Sequence, residues 1–468
     1  MKKTTADRRR HPRPRKRTGS KSPRRLAAVC LARWEESREP VQPLVDALIH
    51  GSGLSAADRG LAMMLVQGVL RHLQYLDFVI ERVASHPLRK MKPLTRMALR
   101  VGVYQLLFLD RVPESAAVNE TVDLLRAERQ PRWLISFVNG VLRGVGRMRE
   151  ELPGPDEAAR NGDPILNHPR WMVERWKRRF GEEKTLAICR ANNREPPLVL
   201  RVNTGRTNVS SLAALMHAQG IEVRPAIYAP DALILEVHRG GVAALPGYAE
   251  GFFHVQDEAA QLATYLAGPF SGPARVLDGC AGVGGKTCLL AQLVAPGSTL
   301  TAVEPDAHRF RLLGENLRRL GLDGKVRCVP GTIADLTGRA SERFDVILVD
   351  APCSGTGVTG RHPDIRWNRR PEEFKDRSRV QMAILAEGAS LLREGGVLVY
   401  VTCSMEEEEN EQVIERFLEQ HAFHAVTDAA KCLPAGAAGL VTREGFLETT
   451  PADGMDGFFG ARLARKSR

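Results

Sequence analysis

Residues Ala274–Thr287 read A-R-V-L-D-G-C-A-G-V-G-G-K-T, and the rest of the chain is organised around them. Val276 and Leu277 form a short apolar run that reads as a buried strand ending at Asp278. Gly279, Gly282, Gly284 and Gly285 let the backbone turn sharply without a Cβ penalty. Cys288–Val294 follows as a helix. Strand, glycine turn and helix open a doubly wound α/β sheet, with a ligand expected over the glycine loop at the carboxyl edge of the strands.

Several kinds of loop share this outline. A phosphate-binding loop needs glycine, four residues of any kind, then Gly-Lys-Ser/Thr. Gly285-Lys286-Thr287 supplies the second half, but Cys280 stands where the first glycine belongs. The dinucleotide pattern Gly-x-Gly-x-x-Gly starts at Gly282 and Gly284 and fails at Thr287. One strand further on, A-V-E-P-D places Glu304 where an acidic residue would bind a ribose diol. A glycine loop followed by that carboxylate suits S-adenosylmethionine as well as a dinucleotide, so the loop alone leaves both open.

A length of 468 residues allows two or three domains, each with its own core. The eight cysteines are scattered without a C-x-x-C pair, so neither a zinc site nor a disulfide framework is expected, and a reducing cytoplasm is. No apolar run approaches the roughly 18–20 residues of a membrane span. The basic N-terminus lacks the apolar stretch of a secretory signal. The net charge of +12 is uneven: within residues 1–25, twelve lysines and arginines stand against Asp7 alone. Residues 1–22 therefore read as a disordered basic tail, either an arm for RNA phosphates or a solubilising extension.

From Pro23 to about residue 150, apolar residues recur at helical spacing, and Ser55, three residues before Asp58, reads as a helix N-cap. This is an all-α domain, and its arginines (Arg59, Arg71, Arg96, Arg100, Arg126, Arg132, Arg143) read as solvated helix faces. Residues 151–169, rich in Pro, Gly, Asp and Asn, read as a linker. A small α+β unit (170–265) follows, with a helix over Trp171–Ala191, strands at Leu198–Val202, Ile221–Pro225 and Ala232–Leu235, and a helix at Val209–Gln219. Trp171 and Trp176 read as seals between helix and domain rather than base-stacking platforms. Residues 266–468 form the α/β domain. Its strands are expected at Arg275–Asp278, Thr299–Val303, Val326–Val329, Phe344–Val349 and Gly396–Val401, with helices at Ala307–Leu320 and Ser378–Leu392 and a closing strand at Gly457–Leu463.

Two cysteines follow strand ends in this domain. The first lies in F-D-V-I-L-V-D-A-P-C-S-G, with Asp350 and Cys353, and the second in L-V-Y-V-T-C-S, with Cys403. Both strands end at the edge that carries the glycine loop, so Asp350, Cys353 and Cys403 are expected to converge beside one ligand. Cys30, Cys189, Cys288, Cys328 and Cys432 read as small buried hydrophobes. A thiol near basic side chains ionises to a nucleophile. Carbon 5 of cytosine attacks a methyl sulfonium poorly until a thiolate adds at carbon 6 and makes an enamine. A nearby carboxyl group then supplies hydrogen bonds or a proton to the charged ring. Methylation of exocyclic amines instead uses Asn/Asp-Pro-Pro-aromatic, whereas this loop is Asp-Ala-Pro-Cys.

The motifs D-A-P-C-S-G-T-G-V, R-H-P-D-I-R-W, L-V-Y-V-T-C-S, E-E-N-E and D-G-F-F, with L-R-V-N at Leu200–Asn203 and V-Q-D at Val255–Asp257, closely resemble the Sun/RsmB family of bacterial 16S ribosomal RNA cytosine-5 methyltransferases. Residues 25–147 resemble the NusB RNA-binding family through D-R-G-L-A-M-M-L-V-Q-G-V-L-R, P-L-T-R-M-A-L-R-V-G-V-Y-Q-L-L-F-L and F-V-N-G-V-L-R. The resemblance implies a NusB-like helical domain, a small α+β domain and a Rossmann-like class I methyltransferase domain, acting on 16S RNA or a small-subunit precursor. The oligomeric state stays open with a monomer as the default, and the cysteine spacing and the lack of a long apolar run lead us to expect no metal and no membrane partner. It further implies that Cys403 attacks carbon 6 and that Cys353 aids product release. Cys280, Ala281, Gly282, Val283, Gly284, Gly285 and Lys286 would cradle the methionine part of S-adenosylmethionine, Glu304 its ribose, and Asp350 the junction of cofactor and base. Two departures stand out. Gly282-Val283 replaces the family's Ala-Pro, and Gly331-Thr332 replaces Gly-Asp at the third strand, leaving Thr332 or Asp335 for the adenine edge. Other readings are a non-catalytic RNA-binding assembly factor, a nucleotide-dependent oxidoreductase or P-loop protein, and a cytosine-5 methyltransferase acting on tRNA or another rRNA.

Overall fold

The computed structural model describes residues 22–160, 162–235, 240–337 and 343–466, so the basic tail lies outside the described residues save for its last member, Ser22. The chain divides into two compact units. The first holds the described residues up to Ser37 with Val41–Val69 and Leu76–Leu152, and the second holds Arg38–Pro40, Leu70–Tyr75 and the described residues from Pro153 onward.

Helices make up the first unit, among them Pro23–Ser37, Ala56–Arg71, Pro93–Phe108, Glu114–Ala127 and Arg132–Arg147. Ser55 caps Ala56–Arg71 by accepting from the Asp58 amide at 3.1 Å, as its position predicts. Glycines let these helices approach closely. A Cβ on Gly102 would sit 2.7 Å from Leu142, and one on Gly68 would collide with the Tyr104 ring. Three of the arginines expected on solvated faces are instead drawn inward, the buried Arg71 among them. Arg100 is buried and forks onto Asp77 at 2.7 and 2.8 Å, while Arg96 holds Glu35 at 2.6 Å. Such a charge is tolerated inside only with its carboxylates in place.

In the second unit, residues 151–169 are more ordered than a linker composition suggests. They carry a two-residue hairpin, β1 (Ala159–Arg160) against β2 (Asp163–Pro164), and bury Asn167 and His168. The helix expected over Trp171–Ala191 is two helices, Arg170–Phe180 and Glu182–Asn192, broken where Gly181 takes φ +81°. Trp176 is buried, as expected of a sealing residue. The small sheet runs β4 (Arg224–Pro225), β5 (Ala232–Leu235), β3 (Leu198–Val202), β6 (Phe253–Val255), with the helix Val209–His217 packed on it. The strand expected from Ile221 shrinks to its last two residues, because Gly220 turns at φ +69° and Pro225 confines the segment to a sheet edge.

The large sheet contains β7 (Arg275–Asp278), β8 (Thr299–Glu304), β9 (Val326–Pro330), β10 (Phe344–Asp350), β11 (Leu392–Thr402), β12 (Phe423–Ala425), β13 (Leu447–Glu448) and β14 (Phe459–Arg465). Its order is β12-β14-β11-β10-β7-β8-β9, with β13 beside β14. Strands β7 to β11 are parallel, and β14 runs antiparallel to β11, making the sheet mixed. Consecutive residues face opposite sides. Val276, Val346 and Leu348 join one core with the helices Glu258–Tyr265, Gly285–Leu293 and Ala307–Leu320. Leu277, Ile347 and Val349 join another with Glu373–Leu391 and Glu411–Gln420. Sheet strands buried on both faces read as the near-continuous apolar runs seen in sequence. Among the described residues no helix is long and apolar enough to cross a membrane.

Candidate active site

Parallel pairing puts the carboxyl ends of β7, β8, β10 and β11 at one edge. Leu348 lies opposite Asp278, Asp278 opposite Ala302, and Asp350 opposite Val401. The glycine loop leaves β7 there. A Cβ at Gly279 would run into Ile333, and one at Gly284, which sits at φ +94°, would approach Leu313 to 2.7 Å. The helix then starts at Gly285, three residues before its expected beginning at Cys288, because the left-handed Gly284 completes the turn. Lys286 and Thr287 thus belong to a helical first turn.

That turn is pinned from below. Thr287 donates to the Asp278 carboxyl at 2.6 Å and the Cys280 amide lies 3.3 Å from its other oxygen. Burial, tempered by the Thr287 hydrogen bond, raises Asp278 to about 6. Glu304 is buried at the end of β8, where it accepts from the amides of Gly282 and Asp306 at 2.9 Å each. Above Gly282 (φ +56°) lies open space, with nothing within 4 Å of where a Cβ would be. A buried carboxylate beside an open glycine turn offers the polar acceptor and close backbone approach that a ribose and a methionine require, so these residues fit S-adenosylmethionine. Val283 is exposed and its carbonyl accepts from Asn316 at 2.9 Å. At the third strand, Asp335 accepts from both the amide and the hydroxyl of Thr332, at 2.7 and 3.0 Å. The two residues proposed as alternatives for the adenine edge are therefore one hydrogen-bonded pair.

Lys286 reaches across to Asp350, with Nζ 2.7 Å from Oδ2 and 5.0 Å from the centre of the Phe458 ring. Burial works to lower its pKa, but the charge and hydrogen bond of Asp350, with Cys403 and Asp278 behind them, leave it raised. Beside this pair the sulfurs of Cys353 and Cys403 stand 3.2 Å apart as free thiols. The hydrogen bond to Cys403, followed by burial, holds Cys353 well above the ordinary thiol range. Burial does the same to the glycine-loop thiol Cys280. Of the other cysteines, Cys30, Cys189 and Cys288 are buried as expected. Cys328 and Cys432 are only partly covered: Cys328 lies on β9, the edge strand of the sheet, and Cys432 ends the short helical turn Ala429–Cys432.

Sequence reasoning missed what holds the two cysteine loops together. Each cysteine is followed by a serine, and both serines bind one buried carboxyl group. Glu409 takes the Ser354 amide (2.9 Å) and the Gln381 amide (3.0 Å) on Oε1, and the Ser404 hydroxyl (2.6 Å) on Oε2. Asn410 takes the Thr402 hydroxyl at 2.6 Å and donates to the Ser404 carbonyl at 2.8 Å. On the far side, Gly357 donates to the Cys403 carbonyl at 3.0 Å, and a Cβ there would collide with the Gly457 carbonyl. The available signal was the identical Cys-Ser pair at both strand ends, followed by an acidic run too close to the second strand to be a solvated tail.

Comparison with known proteins agrees with this architecture. Residues 269–464 match the model of the 16S rRNA methyltransferase RsmB/F family, residues 21–147 the NusB family, and residues 168–240 the ferredoxin-like domain of RsmF/B-like methyltransferases. The probable ribosomal RNA small subunit methyltransferase B of Bacillus subtilis (strain 168) is 34% identical, over 95% of this chain and 99% of its own. Ribosomal RNA small subunit methyltransferase B of Escherichia coli O6:K15:H31 is 37% identical, over 95% of this chain and 98% of its own. Among solved structures, that of PH0851 superposes with a TM-score of 0.73 at 25% identity, covering 96% of this chain and 99% of the other. The chain belongs to the RsmB/F family of 16S rRNA methyltransferases, and its cofactor is S-adenosylmethionine.

Proposed function

We propose that this protein methylates carbon 5 of a cytosine in 16S ribosomal RNA through a covalent adduct between Cys403 and carbon 6. The observation that carries the reading is the placement of two free thiols 3.2 Å apart beside the Lys286–Asp350 pair. Bound S-adenosylmethionine supplies an electrophilic methyl group, held by the backbone from Cys280 to Gly285, by Glu304 and by Asp350. Cys403 is assigned as the nucleophile because its T-C-S motif matches the family's attacking cysteine and its sulfur lies in the field of the Lys286 ammonium group. Cys353, hydrogen-bonded with Cys403 and its pKa held high, keeps its proton through the addition; once that proton has passed to solvent its thiolate takes the C5 proton, the C5=C6 bond re-forms, and the C6–S bond breaks with its electrons returning to Cys403. Asp350, fixed by Lys286, faces the ring edge that gains charge on thiol addition.

We assign the division of labour to the bounds read from the sequence: a NusB-like RNA-binding domain at 23–150, a linker at 151–169, an RNA-binding α+β subdomain at 170–265, and catalysis in 266–468. The enzyme acts as a monomer in the cytoplasm. A tritium-release assay on small-subunit RNA labelled at cytosine carbon 5, with unlabelled methyl donor, tests the chemistry. Cys403→Ala abolishes release, and Cys353→Ala accumulates a denaturation-resistant protein–RNA adduct. An active Cys403→Ala enzyme would overturn the assignment.

A further inference from the structure

The loop that bears Cys353 is held by two guanidinium groups that the chemistry above does not use. Arg369 donates its Nε to the Ser354 carbonyl at 2.8 Å, and Arg377 points Nη1 at the Cys353 carbonyl at 3.4 Å. Both are half-buried, and Arg370, next in sequence, is exposed. Glu373 is the carboxylate paired with this group, at 3.3 Å from Arg377 Nη2. Arg377 Nε is buried without an acceptor. Among the described residues Arg369 has one of its five donors engaged and no ion pair, although Glu373 and Asp364 lie in its field. Two like charges side by side, one of them uncompensated, are stable at a site that receives an anion. Burial and the Arg377 charge also lower the pKa of Arg369, which is what such crowding produces.

We propose that Arg369 and Arg377 form a phosphate clamp that grips the RNA backbone beside the target cytidine. This rests on the reading of the Cys353–Cys403 pocket as the base site. A base that reacts at a buried thiol must leave its stack and enter the pocket, carrying its flanking phosphodiesters to the rim. Guanidinium forks match phosphate oxygens bidentately. The clamp recognises phosphate rather than sequence, so it adds affinity for any RNA strand entering the pocket.

The test compares the full-length wild type with Arg369→Gln, Arg377→Gln and Arg369→Lys. Filter binding of in vitro transcribed small-subunit RNA is measured at several salt concentrations, alongside tritium release. Each glutamine variant is expected to bind target and unrelated RNA roughly 10-fold more weakly, and to flatten the salt dependence by about 0.7–1 per lost phosphate contact. The KM for RNA should rise with kcat within about threefold of wild type, and Arg369→Lys should recover part of the salt slope. An unchanged salt slope, whether or not kcat falls, would overturn the clamp and leave the arginines as loop supports. Binding is read without turnover, so a wild type that binds RNA but releases no tritium would sink the base-site reading separately.

Discussion

If one carboxyl group joins the two cysteine loops, Glu409→Ala should damage stability and chemistry together. The substitution removes the acceptor of three donors, the amides of Ser354 and Gln381 and the hydroxyl of Ser404, and all three lie in a region closed to water. A buried donor left unsatisfied costs about 1–3 kcal/mol. The Ser404 hydroxyl can turn to Ser354 Oγ, 3.1 Å away, so it is partly excused. The Gln381 amide keeps the Pro352 carbonyl at 3.1 Å, whereas the Ser354 amide has no such alternative, which sets the loss at roughly 3 kcal/mol once the small cavity is counted. For a unit of this size each kcal/mol lowers Tm by about 2–4 °C, so a fall of roughly 6–12 °C is expected by differential scanning fluorimetry.

Glu409→Gln separates the two effects. It keeps the shape and one acceptor but presents an NH2 to one donor, so its Tm should fall by less than half as much. Its single-turnover methyl-transfer rate should still drop by about 10-fold or more, because the loop carrying Cys353 is no longer tied to the loop carrying Cys403 and their geometry loosens. KM for RNA, set elsewhere, should hold. A Glu409→Ala enzyme with unaltered melting and rate would refute the argument. So would a Gln variant whose KM rises while its single-turnover rate is unchanged.

Lys286→Met removes the partner of Asp350 and the cation beside Cys403, and adduct formation in the Cys353→Ala background should slow by about 100-fold, read on denaturing gels. Asp278 makes stability depend on pH. Its folded pKa of about 6 exceeds the ordinary 3.8, so its contribution is complete below about 3.8 and is lost as pH rises through about 6. A gap of this size corresponds to about 3 kcal/mol, and Asp278→Asn should flatten the stability profile between pH 4 and about 6 in urea titrations. A profile as steep as that of the wild type would show that another group titrates there.

What was legible in the sequence was whatever a local pattern determines. The strand Arg275–Asp278 and the helix Ala307–Leu320 appear with their expected bounds because apolar periodicity, a glycine stop and an Asp306 cap all act within a few residues. Boundaries failed where backbone conformation decided them. Gly181 and Gly284 look alike in sequence, yet one ends a helix and the other admits an early start. Arg100 could not be told from a surface arginine, because Asp77 and Glu35 arrive from other helices. The convergence of the two thiols was itself readable, since parallel strands deliver their carboxyl ends to one place whatever their sequence separation. Cys353 and Cys403, fifty residues apart, needed only that rule.

The supporting layer could not be read that way, for a reason that bears on how the site works. Glu409 sits in a run of four glutamates, three of which have partners or water outside the pocket, and composition assigns the whole run to solvent. Only when β10 and β11 pair do Ser354 and Ser404 face the same oxygen pair, so the buried position of Glu409 is created by the sheet register rather than by its neighbours in sequence. The same register sets the distance between the sulfurs. A one-residue slip between β10 and β11 would turn alternate side chains to the opposite face and separate both the serines and the cysteines. The carboxyl group and the thiol pair are therefore two readouts of one structural fact, and a substitution that moves one without the other would have to act within the loops rather than through the strands beneath them.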